Sequence, residues 1–369
     1  MLPERLSASL RYFTGLALQP ANRWDGFDLS APESREASLR GQILFSGCAL
    51  AALAAHPSAG ADEAALAGDA LAALVDRMIQ RRVWAVWAAE TERASRKPDP
   101  VDAGYGAYSG ALSVLLGLQA AVGGQVRYLD DPFVLRWSAD VRASYTADEL
   151  AESLWRQARA SPEGAISCEA DTATASGMAA ALWALRLHDA AYGSAYGAAG
   201  DAWLSTLGGR MAIRGPRLPG RGALAGSLSL RSRRASLGGD ALEDAWALAL
   251  TASLDRDLVA RLAERHWPAL PKIRERGEHL AAAFSYLLAV ELGDAERAAG
   301  LLAYAEERLG PEDDAEVGRR YAGAPAAPWV TALFAIGEAG GLGRLLAATP
   351  PAAPAPPADS MGGDLAHAA

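Results

Sequence analysis

The chain has 369 residues and a net charge of -9, with 51% hydrophobic and 21% charged residues, so it can bury a large core. The acidic balance argues against nucleic acid as a general partner, because phosphate binding needs a basic surface. The two cysteines, Cys48 and Cys168, are too few and too far apart in sequence to form a disulfide framework or a zinc site.

The first segment, MLPERLSASLRYFTGLALQP, carries one acid and two arginines and has no continuous apolar core followed by a small-residue cleavage site. We therefore expect no signal peptide. No uncharged apolar run in the chain reaches about 18 residues of helix-compatible sequence with membrane-like flanks, so we expect no transmembrane helix and no membrane insertion. The expected location is the cytoplasm.

Helices are predicted along nearly the whole chain, because Ala and Leu dominate and runs of β-branched residues are scarce. In ELGDAERAAG, for example, Gly293 ends one helix and Asp294 caps the next. The candidate helices, about twelve in hairpin-like pairs, are 4–18, 36–55, 62–80, 105–122, 147–160, 174–190, 195–208, 240–254, 256–266, 277–292, 294–308 and 327–347.

Sequential pairs of helices predict an all-α fold, an (α/α)6 barrel of about six helical hairpins that forms one domain over residues 1–348. The inner helices of such a barrel can be apolar on all sides, as in AAAFSYLLAVEL (281–292), whereas outer helices are amphipathic, as in residues 61–82. A helical-repeat solenoid is the alternative, although no fixed repeat period is visible.

Two segments depart from this pattern. Residues 210–234 contain seven arginines and no acid, and their Gly and Pro residues exclude a helix, while ALAGSLSL within them could form a short strand. The arginines could pair with acidic rims of neighbouring helices or gate an anionic substrate. Residues 349–369 are rich in Pro and Ala and are expected to be a disordered tail.

Three segments together resemble the linalool dehydratase/isomerase family in order and spacing. They are RRVWAVWAAE (81–90), PDPVDAGYGAYSGALSVLLGL (98–118) and GAISCEADTATASGMAAALWAL (164–185), and residues 281–294 resemble a late inner helix of the family. The resemblance implies an (α/α)6 barrel with a hydrophobic central pocket. It also implies cofactor-free chemistry, the acid–base loss of water from an allylic terpenoid alcohol or the reverse reaction.

The family's catalytic set is only partly present. The resemblance places its first cysteine on Cys168, with Glu169 and Asp171 in step, but its second cysteine falls on Gly177. Its catalytic histidine falls on Ala111. Linalool itself is therefore a poor candidate for the substrate.

An acid–base dehydratase needs one group that protonates the leaving hydroxyl and another that removes a proton. Glu169 and Asp171 could supply a carboxylic acid in an apolar pocket and a carboxylate. Their alternative role is to cap the following helix, since acids favour the first turn. Cys168 is either a site thiol or a small buried hydrophobic residue.

A second acid–base set is predicted at two other helix starts. GGDALEDAWALAL begins a helix with Glu243 and Asp244, and RGEHLAAAFSY begins another with Glu278 and His279. The inner helices of a barrel start on one rim, so we expect these side chains to share a pocket with Cys168. Alternatively, Glu278 only complements the helix dipole and His279 is half buried and inert. The predicted substrate-binding residues are Tyr105, Tyr108, Ser109 and Trp246.

No metal is expected, because the spacing of these residues matches no metal-binding signature. Three functions stay open: a lyase or isomerase acting on a small hydrophobic alcohol, a ligand-binding barrel that has lost its chemistry, and a glycan-active (α/α)6 enzyme with paired carboxylates. The expected partner is a small hydrophobic molecule. The sequence allows a homo-oligomer without requiring one.

Overall fold

The structure is a computed structural model that describes residues 1–30, 38–85, 98–123, 127–168, 171–213 and 222–348. The described chain is mainly helical, with a few short strands. The helices are α1 (Glu4–Leu18), α2 (Leu39–Ala54), α3 (Ala61–Met78), α4 (Arg81–Trp84), α5 (Gly106–Gly123), α6 (Ala147–Ala160), α7 (Ala175–Tyr192), α8 (Asp201–Thr206), α9 (Ala241–Thr251), α10 (Arg256–His266), α11 (Leu270–Arg276), α12 (His279–Glu291), α13 (Ala295–Arg308), α14 (Ala327–Glu338) and α15 (Gly343–Ala348).

The strands form three antiparallel pairs of two strands each. They are β1 (Phe133–Arg136) with β2 (Arg142–Tyr145), β3 (Thr172–Ala173) with β4 (Leu228–Ser229), and β5 (Pro311–Asp314) with β6 (Gly318–Tyr321). Within the described residues, no sheet has more than these two strands, and the fold is therefore built by helix packing.

Polar side chains fix where many of the helices begin. Each of these caps accepts a hydrogen bond from the backbone amide three residues further on, which satisfies a donor that the helix itself leaves unpaired. The capping residues are Ser38, Thr146, Thr174, Asp240, Asp255 and Asp294.

Six helices form the apolar centre of the molecule, and we call α2, α5, α7, α9, α12 and α14 the core helices. Several are buried on all sides, such as α12, where every residue from Leu280 to Ala289 is buried. Each core helix packs against the next in this order, and α14 packs in turn against α2. The remaining helices lie outside them; α3, for example, packs on α2 and α5 and buries one face only.

The predicted helix positions agree closely with the structure for 4–18, 147–160 and 256–266. The boundary between α12 and α13 is also confirmed, since Gly293 has a φ of 69° and Asp294 caps α13. One predicted helix, 327–347, is wrong as a single element. Gly340 and Gly341 adopt φ values of 103° and 90°, which end α14 before α15 begins.

Several elements were not predicted, among them α4, α11 and the hairpins β1–β2 and β5–β6. The helix α11 contains Pro271 in its first turn, a position that tolerates proline because the missing N–H would have no helical partner. The β1–β2 hairpin was also missed, although its first strand alternates between buried Phe133 and Leu135 and exposed Val134. A short strand inside ALAGSLSL was predicted and is present as β4.

Candidate active site

The starts of α2 and α5 meet through Arg40 and Tyr105. The Arg40 guanidinium hydrogen-bonds the Tyr105 hydroxyl and lies 5.2 Å from the centroid of its ring. The Gly106 amide donates to the Ser167 carbonyl at 2.7 Å, which joins the start of α5 to the turn before α7. A Cβ at Gly106 would lie 2.6 Å from that carbonyl oxygen, so the close approach requires glycine.

The starts of α7 and α9 are joined by the Glu243 carboxylate. It accepts hydrogen bonds from the Ser176 amide at 2.8 Å and from the Ser176 hydroxyl at 2.9 Å, and only 2% of the residue is exposed. Asp240, the cap of α9, accepts from the Glu243 amide at 2.8 Å. Acids at these positions also complement the positive end of the helix dipole.

The starts of α14 and α2 meet through Asp28. Its carboxylate accepts from the Ala326 amide at 3.2 Å, while its backbone exchanges two hydrogen bonds with the Gln42 side chain on α2, at 2.8 and 2.9 Å. These contacts place the starts of the core helices at one end of the molecule, which we call the rim.

A cavity of 360 Å³ lies at the rim, where α9, α12 and α14 begin. Its volume is at the low end of the range of about 300–1,000 Å³ that is typical of small-molecule pockets. Its lining combines apolar side chains with two carboxylates, a guanidinium and an imidazole. The lining residues are Asp240, Ala241, Leu242, Arg276, Gly277, Glu278, His279, Leu280, Ala281 and Pro325. We call it the rim cavity.

Glu278 and His279 both line this cavity, whereas Cys168 and Glu243, which were predicted to share their pocket, are not among its lining residues. The His279 Nδ1 lies 3.3 Å from the Tyr304 hydroxyl, which itself lies 3.5 Å from the Arg274 carbonyl. If the Tyr304 hydroxyl donates to that carbonyl, it accepts from Nδ1–H and leaves Nε2 as the basic nitrogen. Burial lowers the pKa of His279 below its usual 6.5, which favours the neutral imidazole at neutral pH.

Cys168 is fully buried in the turn before α7. Its amide donates to the Thr172 carbonyl at 2.7 Å, and its Sγ would lie 2.6 Å from a Cβ added at Gly177. Gly177 follows Ser176, so Cys168 and Glu243 contact neighbouring residues in the first turn of α7. The predicted site residues thus form two groups on the rim, one at α7 and one at the rim cavity, with the first turn of α9 contributing to both.

The family model for linalool dehydratase/isomerase matches residues 42–278, which is more than half of the chain. The chain belongs to the linalool dehydratase/isomerase family. The match confirms the resemblance that three sequence segments suggested, and it spans the helices from α2 to α11 together with Glu278.

Two positions at which the resemblance placed catalytic residues carry small residues here. Ala111, where it placed the catalytic histidine, is 1% exposed on α5 and carries no ionisable group. Gly177, where it placed the second cysteine, lies directly against the Cys168 thiol. A side chain at 177 would therefore project onto Cys168.

Of the two acids that follow Cys168, the structure describes only Asp171. Glu169 lies outside the described residues. Asp171 is not buried in a pocket, because its side chain is 61% exposed and lies 3.3 Å from Arg231. It does not cap α7 either, since Thr174 does so. Asp171 has a φ of 64°, a conformation that aspartate adopts more readily than most residues.

Asp244 was predicted as a site carboxylate, but none of its surface is accessible. Its carboxylate accepts from the backbone amides of Ala223 and Leu224, and one oxygen lies 3.8 Å from the Nδ1 of His266. Asp244 therefore anchors the segment that precedes α9, and a substrate in the rim cavity has no path to it in this arrangement.

None of the four predicted substrate-binding residues is among those that line the rim cavity. Tyr108 is fully buried and donates to the Met78 carbonyl at 3.2 Å, which is a core position, and Ser109 is 2% exposed. Tyr105 stays at the rim with Arg40. Trp246 packs in an aromatic cluster with Phe45, Phe284 and Trp329.

Sequence reasoning missed His266, Ser285 and Tyr304. His266 is fully buried at the end of α10, with its Nε2 2.9 Å from the Ser285 hydroxyl on α12. Tyr304 comes from α13, outside the core helices. Each of them lies on a different element from the side chain it contacts, so no local spacing in the sequence could have shown these contacts.

In the described part of the arginine-rich segment 210–234, arginines form ion pairs with carboxylates. Arg210 and Arg233 both pair with Glu163, at 2.8 and 2.5 Å, and together lower the pKa of that buried carboxylate against the effect of burial. No helix in the described parts of the chain is long and apolar enough to cross a membrane.

Proposed function

We propose that this member of the linalool dehydratase/isomerase family is a cofactor-free acid–base lyase or isomerase that adds or removes water from a small hydrophobic alcohol, with terpenoid alcohols first among the candidates. The observation that carries the proposal is the rim cavity. It holds Glu278 and His279 within one small volume that is otherwise lined mainly by apolar side chains.

The proposed architecture is an (α/α)6 barrel with the core helices as its inner ring. Two facts support it. Each core helix packs against the next and α14 packs against α2, which closes the ring, and the first turns of the core helices meet at the rim. In this arrangement the rim cavity is the mouth of the barrel. The positive ends of several helix dipoles surround it, which favours carboxylates there.

The proposed reaction needs two proton transfers. A carboxylic acid protonates the alcohol oxygen, the C–O bond breaks, and water leaves. A base then removes a proton from the neighbouring carbon, whose C–H electron pair forms the new double bond. Return of water to the other end of an allylic system gives isomerisation, with the same two groups exchanging their roles.

His279 is the proposed base, because its lowered pKa keeps it neutral and its Nδ1 is oriented by Tyr304. Glu278, adjacent in sequence and lining the same cavity, is the proposed acid, and its 3.6 Å contact with the Arg276 guanidinium has to break when it takes up a proton. Glu278 lies just before α12 and His279 is its first residue, and both line the cavity, so the two side chains can reach different atoms of one substrate. Glu243 and Cys168 border the neighbouring part of the rim and are proposed to shape and polarise the site.

The proposal is tested by turnover of a panel of allylic alcohols and the corresponding alkenes, analysed by gas chromatography. His279→Gln and Glu278→Gln should each lower the rate about 10²–10⁴-fold, the usual cost of losing a general acid or base. Glu275→Gln is the matched control, since Glu275 is exposed and does not line the cavity. Variants of His279 and Glu278 that turn over as fast as the control would contradict these roles.

A second candidate is a ligand-binding barrel that has lost its chemistry. The absence of ionisable side chains at Ala111 and Gly177 favours it. This alternative predicts that hydrophobic alcohols raise the melting temperature of the protein while no member of the panel is converted. Sugars in the same thermal screen would identify the glycan-active alternative.

A further inference from the structure

Four aromatic side chains from four core helices fill the space between those helices. Phe45, Trp246, Phe284 and Trp329 come from α2, α9, α12 and α14. The Trp246 ring stacks on Phe284 with centroids 5.2 Å apart, and Phe45 stacks on Trp329 at 5.5 Å. The two stacks contact each other edge to face, with Trp246 and Trp329 5.1 Å apart. We call these four residues the aromatic cluster.

The aromatic cluster lies one helical turn from the rim cavity. Leu242 and Leu280 line the cavity, and four residues later on the same helices come Trp246 and Phe284. Side chains four residues apart lie on the same face of a helix, about 6 Å apart along its axis. Two walls of the cavity, on α9 and α12, therefore continue into two rings of the cluster.

Exposure shows which ring is nearest the opening. Phe45, Phe284 and Trp329 are at most 1% exposed, whereas Trp246 is 8% exposed, close to the 6% of Leu242 one turn nearer the rim on α9. Trp246 is in contact with the other three rings, so its remaining accessible surface must face away from them.

We propose that the aromatic cluster closes the bottom of the rim cavity and that Trp246 limits the length of the hydrophobic chain the cavity accepts. This rests on the proposed function only in taking the rim cavity as the binding site. The polar end of the ligand lies with Glu278 and His279, and its apolar end contacts the indole ring. The substrate class is thereby narrowed to short hydrophobic alcohols.

The test is calorimetric binding of a series of straight-chain primary alcohols from butanol upward. Affinity should rise about fourfold for each added methylene while the chain is being buried, and the gain should stop at the length that reaches Trp246. Trp246→Ala should move this limit by about two or more carbons, and Trp246→Phe by less. The control is Trp183→Ala, because Trp183 is a 1% exposed tryptophan on α7 outside the aromatic cluster.

The outcomes separate this inference from the proposed function. If the chain-length limit moves in Trp246→Ala and not in Trp183→Ala, the result supports Trp246 as the residue that closes the bottom of the rim cavity. This holds whether or not any alcohol is converted. If Trp246→Ala does not fold by circular dichroism, the smaller change in Trp246→Phe decides. If the chain-length limit is unchanged in the folded variants, Trp246 does not set it, but the catalytic proposal is unaffected. A wild-type protein that binds no alcohol in the series overturns both.

Discussion

Asp244 is a buried anchor in this structure, and the replacement Asp244→Asn tests that role. The change keeps the size of the side chain but removes the charge and turns one oxygen into an NH2 group. That oxygen accepts a hydrogen bond from the backbone amide of Ala223 or Leu224 in the wild type. After the change, one of these amides faces another donor, and His266, 3.8 Å away, loses its neighbouring carboxylate.

The expected cost follows from these contacts. A hydrogen bond to a charged group contributes about 1.5–3 kcal/mol, and a buried donor left without its acceptor costs about 1–3 kcal/mol. The two figures describe overlapping interactions and do not add in full. We expect Asp244→Asn to lower the free energy of unfolding by about 1.5–3 kcal/mol.

Urea denaturation followed by tryptophan fluorescence measures this loss, with Asp171→Asn as the matched control. Asp171 also pairs with one arginine, Arg231, but its side chain is 61% exposed, so its replacement should cost no more than about 1 kcal/mol. Equal, small losses in the two variants would refute the anchoring role and return Asp244 to the list of candidate catalytic acids.

Three further predictions concern pH and packing. Burial raises the pKa of Glu291 to about 7, although the backbone amides of Leu342 and Gly343 favour its charged form. Because Glu291 ionises more readily in the unfolded chain, the free energy of unfolding should fall as the pH rises from 4.5 to about 7, by at most about 1.4 kcal/mol per pH unit. Glu291→Gln should remove this slope in thermal melts across that range, and an unchanged slope would assign it to other groups. The acidic limb of kcat/KM should lie below pH 6.5, because His279 has a lowered pKa and must be neutral to act as a base; a limb above 6.5 would exclude that role. Gly177→Ala should cost about 1–3 kcal/mol by pressing on the Cys168 thiol, and the same change in a Cys168→Ala background should cost clearly less, as measured by urea denaturation.

The helical fold could be predicted from the sequence because its signals are local. Asp294 follows Gly293 at a helix boundary, and the residues of α12 are apolar throughout, which is expected only of a helix surrounded by others. The prediction failed where two local signals compete. The apolar character of 327–347 suggested one helix, but two successive glycines with positive φ end it.

The candidate site was only partly predictable. Glu278, His279 and Glu243 were selected because ionisable residues at the start of an apolar helix stand out. The same signal selected Asp244. Consecutive residues on a helix point about 100° apart, however, so Glu243 contacts Ser176 while Asp244 is buried against the backbone amide of Leu224. Burial and long-range partners decide between such neighbours, and neither can be read from local spacing.

The rim cavity is proposed to make and break the C–O bond of a hydrophobic alcohol by acid–base chemistry, and oxygen-18 exchange follows that bond itself. The dialysed protein is incubated with short allylic alcohols in H2(18)O, and the label in the recovered alcohol is measured by mass spectrometry. We predict protein-dependent incorporation that His279→Gln reduces about 10²–10⁴-fold and Glu275→Gln leaves unchanged. Label at the protein-free background for every alcohol, with the wild-type protein folded and binding, would contradict the claim.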